Sequence, residues 1–184
     1  PALRSAIQCT ALDRGLFPEL GSQVPRMYDQ VRALVRERRQ QLPYCALEDL
    51  VATIVEQLGL DDQEGDAGAR VRQAIEFLHD VGELAHYREA AELSKVVFLS
   101  LQWLVDVNKL VIRHDHSDSL VYDEAAETLM SATQFGAMKA DFVKRGWLSL
   151  PLLRRLWWGL QLPKDDNDAM FGRLIAMLQQ FGVA

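Results

Sequence analysis

The 184-residue chain is 49% hydrophobic and 25% charged, enough apolar material to bury a core as one domain or two small ones and too much to stay disordered. Its formal net charge of −6 sets it against the phosphate backbone of nucleic acid unless its basic residues cluster. No run approaches the ~18 apolar residues of an integral membrane segment, the N-terminus lacks a signal-peptide layout, and Cys9 and Cys45 are spaced like neither a zinc site nor a redox pair, which points to reduced thiols in the cytoplasm.

In chain order, Leu3, Ala6, Ile7, Thr10 and Ala11 repeat at helical spacing and predict a short amphipathic helix over 1–14. Pro1 is not an initiator methionine, so the chain reads as a piece of something longer. Phe17 to Gly21 is a Pro- and Gly-punctuated linker. Pro25 then opens a helix over 26–41, with Val24, Tyr28, Val31 and Val35 on one stripe and Arg32, Arg36, Arg38 and Arg39 toward the end that suits cations. Those arginines read chiefly as a solvated face, with a phosphate-binding patch as the lesser alternative. After Pro43 the next helix is expected from Ala46 to Leu58, stopped by Gly59. The acidic loop Asp61 to Gly68 lacks the twelve-residue ligand layout of a calcium-binding hand.

The central stretch follows. Ala74, Ile75, Phe77, Leu78 and Val81 predict a helix closed by Gly82. Glu83 to Tyr87 and Lys95 to Leu99 then read as two strands of one hairpin with Arg88 to Glu92 at its tip. Three helices and a hairpin wing make a winged-helix-like unit, with Phe77, Leu78, Val97, Leu99, Trp103 and Leu104 expected in one core.

Beyond it, Leu101 to Ile112 is helical, with Trp103 as a large anchor. His114, Asp115, His116 and Asp118 sit too close together in one loop to surround a metal without a distant ligand, so a surface loop is the better reading. Helices are expected at Glu124 to Ala132, within Gly146 to Gly159 behind Ser149 and Pro151, and at Ala169 to Phe181; Gln134 to Arg145 is weakly patterned, with Phe135, Met138 and Phe142 as anchors. Ile75 to Gly82 aligns without gaps on Ile175 to Gly182, which suggests a second unit that begins at Leu101 and stops where its wing would start.

Gly21-Ser22-Gln23-Val24-Pro25 with Tyr28 and a basic helix, then AIEFLHDVGELAHY, LSKVVFLSLQWLVDV and RGWLSLPLLRRLW, together resemble the COR domain of Roco proteins, in particular its N-terminal half, COR-A. Leu101 departs from the proline the family commonly has before Gln-Trp. The resemblance implies a mainly α fold of winged-helix-like units, the second incomplete. Its divisions would be 1–20 as the last helix of the Roc GTPase domain plus a linker, 21–100 as the first unit and 101–184 as the second. It further implies a cytoplasmic relay that couples the GTP or GDP state of Roc to the rest of a multidomain, often leucine-rich-repeat, protein.

The implied partners are Roc of the same chain, the remainder of COR (COR-B) and, in dimerisation, a second copy; neither nucleic acid nor a membrane is among them. Cofactors are implied only for Roc, as GTP or GDP with magnesium: this chain has no phosphate-cradling G-x-x-x-x-G-K-[ST] loop, no Asn-Lys-x-Asp guanine reader and no arguable catalytic residue, so no enzymatic role is expected of it. The Roc-facing surface is expected at Val24, Pro25, Tyr28, Val31 and Arg32, where a ring, an aliphatic contact and a guanidinium share one helix face. The competing reading is a winged-helix DNA-binding regulator using the helix from Ala69 to Val81, which carries Arg70, Arg72 and Gln73 but also Glu76 and Asp80.

Overall fold

A computed structural model describes residues 2–13, 15–16, 21, 23–60, 66–113, 115–123, 127–160, 167–180 and 182. Among these the chain is mainly helical, with one small antiparallel sheet. Residues 61–65 of the acidic loop, His114, Glu124 to Ala126, residues 161–166, Phe181, Pro1, Arg14 and linker residues 17–20 lie outside the described residues.

α1 (Ala2–Ala11) buries none of its residues. α2 (Arg26–Arg39) follows Pro25 and buries Val31 and Val35. Strand β1 (Tyr44–Ala46) was not expected: three residues are too few to show alternation, and Ala46 also stands at the N-cap of α3 (Leu47–Leu58). α3 ends at Gly59, whose φ of +57° is the left-handed turn that glycine adopts without strain. α4 (Ala67–Asp80) closes in a Schellman turn, in which the Gly82 N–H donates to the His79 carbonyl at 3.0 Å and the Glu83 N–H to the Leu78 carbonyl at 2.9 Å.

The expected hairpin is reduced to one bridge, and the strand's main partner lies elsewhere. β2 (Val96–Phe98) pairs antiparallel with β1 in the register Tyr44 to Phe98, Cys45 to Val97 and Ala46 to Val96. On its other edge only Ala85 pairs with Phe98, through reciprocal bonds of 2.9 and 2.8 Å. The intervening residues do not extend into a wing. They coil into turns in which the Ala90 carbonyl accepts from both Leu93 and Ser94, and Leu93 is fully buried.

The single core expected from the sequence is in fact two, because a strand points successive side chains to opposite faces. Val97 and Leu99 face a first core with Val31, Val35, Leu50, Ile54, Ile75 and Leu78, packed by α2, α3 and α4, and Phe77 lies against it. Val96 and Phe98 face a second core that holds Leu104, Trp157, Leu174 and Leu178, with Trp103 packed at its side. β2 is therefore a wall shared by both, and every one of its residues is buried.

The second core is built by α5 (Leu101–Val111), α8 (Leu150–Leu156) and α9 (Asn167–Gln180). Ser100 caps α5 by accepting from the Trp103 N–H at 3.2 Å. α6 (His116–Ser119) and α7 (Ala132–Arg145) enclose a smaller cluster of Leu120, Met130, Phe135 and Leu152. The helix expected at Glu124 to Ala132 does not run that way where it is described. Ser131 caps α7 in a capping box with Gln134, so Ala132 begins a new helix that takes in the whole weakly patterned stretch and buries Phe135.

Candidate interaction surface on α2 and the Glu83 anchor

α2 divides the expected Roc-facing residues between surface and interior. Val24, 41% exposed, and Pro25 lie open at its N-terminal end. Tyr28 is half-buried, its ring centroid 5.2 Å from that of Phe77 at a tilt of 46°. Val31 is fully buried in the first core, so it supports this face from beneath. Arg32 is half-buried and stands 3.6 Å from Asp29 and 3.5 Å from Glu83.

Glu83 is the feature that sequence reasoning passed over. Arg32, Arg36 and Arg39 occur at i, i+4 and i+7 of α2, one helix face, and all three guanidiniums converge on this carboxylate. Arg36 binds it through two nitrogens, and Arg39 also donates to the Glu83 backbone carbonyl. The hydrogen bond from Arg36, aided by the charges of all three arginines, holds the Glu83 carboxyl below the usual glutamate range. The signal was present as three arginines at helical spacing; what could not be read was that the first residue past a glycine cap some forty positions later would meet them.

Several other charged groups are paired. On α4, Arg72 pairs with Glu48 and Glu76 with Arg88, so its exposed face carries both signs. His116, weighed as a metal ligand, is buried with Nε2 2.8 Å from the Val111 carbonyl, and Asp115 pairs with Arg113 at 2.6 Å. Among the described residues no group of three or more His, Cys, Asp or Glu could hold a metal ion, and no helix is long and apolar enough to cross a membrane. Cys9 is exposed, whereas Cys45 lies in the first core, where burial pushes its thiol up to about 11.

Comparison with known proteins places the sequence in a family. Residues 25–184 match the family described as C-terminal of Roc, COR-A domain. Over 157 residues, 84% of its length, the chain is 26% identical to Malignant fibrous histiocytoma-amplified sequence 1 homolog of Xenopus tropicalis, and it spans 15% of that relative. No solved structure matches it. The match begins at Pro25, the residue that opens α2, and takes in both cores and the strand between them: the chain belongs to the COR-A family of Roco proteins.

Proposed function

We propose that this chain is a relay and interaction module that packs on the Roc GTPase domain through the N-terminal end of α2, couples the nucleotide state of Roc to the rest of the protein and takes part in dimerisation. The observation that carries the reading is the junction at Val24 and Pro25. Apolar side chains there are open to solvent immediately before a helix rooted in the core by Val31 and Val35. On the side that the resemblance assigns to Roc, α1 leaves Leu3 75% and Ile7 58% exposed. A ten-residue helix with an uncovered apolar stripe is marginal by itself in water, and a neighbouring domain would supply its cover.

In this reading residues 1–20 belong with Roc, 21–100 and 101–184 are the two units of COR-A, and the setting is cytoplasmic. Nucleotide and magnesium belong to Roc, COR-B is the further partner, and the chain itself is non-catalytic. The test uses Val24→Asp and Tyr28→Ala against a Roc fragment by calorimetry. Val24→Asp should weaken binding by about 2 kcal/mol, as loss of an interface anchor does, with the melting temperature unchanged. Wild-type affinity in both variants would remove this surface from the interface.

One observation favours the DNA-binding alternative: the order α2, β1, α3, α4, bridge, β2 is that of a winged helix. The paired charges on α4 and the net charge of −6 oppose it. Fluorescence anisotropy with duplex DNA at physiological salt should show no binding; salt-sensitive micromolar binding would promote it.

A further inference from the structure

Glu83 occupies a position that an ordinary surface ion pair does not. Its backbone N–H is bound to the last turn of α4, its carbonyl is bound by Arg39, and its carboxylate is held by Arg32, Arg36 and Arg39. The side chain is only 18% exposed, against 57% for Arg36. Isolated exposed pairs contribute little to stability, but a largely covered carboxylate shared by three guanidiniums is a network whose members constrain one another. Directly after it, Leu84 enters the first core and Ala85 pairs with Phe98, which faces the second.

We propose that Glu83 is a positioning residue that joins α2 to the shared strand β2, so that a displacement of α2 is carried through the Ala85 to Phe98 bridge into the second core. Without the carboxylate, Arg36 loses its partner and Arg32 keeps only Asp29, so α2 holds the segment from Glu83 to Ala85 by a polar contact only through the Arg39 bond to the Glu83 carbonyl. The inference takes its purpose from the proposed relay function, but the joint is internal to this chain and is tested without Roc. A failed Roc titration and a failed joint are thus separate results.

The experiment is amide hydrogen exchange on the whole 184-residue chain. The forms compared are wild type, Glu83→Gln, the triple change Arg32→Gln, Arg36→Gln and Arg39→Gln, the combination of all four, and Glu83→Asp. Glu83→Gln and the triple change should each speed exchange at Ala85, Phe98 and the first turn of α5 roughly fivefold, a loosening of the size expected for a small ion-pair network. The triple change, which also takes away the Arg39 bond to the Glu83 carbonyl, sets the upper limit; the combination should add nothing to it, because the carboxylate then has no guanidinium left to lose, and Glu83→Asp should keep much of the protection. Faster exchange confined to α2 and Glu83, or effects that add in the combined variant, would overturn the joint. If Glu83→Gln does not fold, wild type in low and high salt supplies the same reading: screening should loosen those same amides, and salt-independent exchange there would overturn the proposal.

Discussion

The two halves of the molecule place helices of equal length on opposite faces of one strand. α4 and α9 each run for fourteen residues, and each is followed two residues later by a glycine with positive φ, Gly82 at +73° and Gly182 at +67°. Their buried stripes coincide at three positions, Val71 with Phe171, Ala74 with Leu174 and Leu78 with Leu178, while α9 turns Met170 and Met177 inward where α4 has Arg70 and Phe77. Yet α4 sends Ile75 and Leu78 against Val97 and Leu99, while α9 sends Leu174 and Leu178 into the core of Val96 and Phe98. The lesson is that the two copies of a sequence repeat can share a wall: here both lean on the stretch Val96 to Leu99.

The comparison is broken most severely at the wall itself. Phe98→Ala should cost about 3–5 kcal/mol, as truncation of a fully buried aromatic does, and should strip the second core of its central ring. Chemical denaturation of Phe98→Ala beside Leu99→Ala checks it, and a milder effect in Phe98→Ala than in Leu99→Ala would mean that β2 serves the first core only. Next in size are the matched positions. Leu78→Ala and Leu178→Ala should each lose about 2–5 kcal/mol, and near-neutral behaviour of Leu178→Ala would show that α9 is not held as α4 is.

Smaller effects sharpen the local rules. At Gly82 an added Cβ meets open space, so Gly82→Ala is charged only with its positive φ, about 1 kcal/mol, readable as a shift in the urea midpoint. Ser131→Ala should cost a similar ~1 kcal/mol by removing the capping box of α7. The smallest effect is a pH dependence. Because Glu83 is held below the ordinary range, its contribution is present above about pH 4.3 and fades as pH falls through its lowered value. Urea midpoints of wild type and Glu83→Gln should therefore converge in acid and separate above it.

Helices with a clean stripe and a glycine stop, such as α3 and α4, were legible from sequence because period and punctuation agree there. α7 was legible only in part: its pattern is weak, and Ser131, which begins it, stood inside the stretch read as the preceding helix. β1 was missed because Tyr44, Cys45 and Ala46 carry no strand signature apart from the partner that β2 provides, and the wing was overdrawn because turns at 88–95 bury Leu93 rather than extend. Of the α2 surface, the exposure of Val24 and the helix face of Tyr28 and Arg32 were legible, but the depth of Val31 and the meeting of three arginines with Glu83 belong to tertiary structure.

The central claim is that β2 makes the two cores one cooperative body. Each core carries its own probe: Cys45 lies in the first, and Trp157 lies in the second, its Nε1–H donating to the Val107 carbonyl at 3.3 Å. In a Cys9→Ser, Trp147→Phe, Trp158→Phe background, which leaves only the tryptophans of the second core, urea unfolding followed by Cys45 thiol labelling and by tryptophan fluorescence should give a single coincident midpoint, as a two-state body requires. Two separated midpoints, with either core still folded after the other has gone, would contradict it.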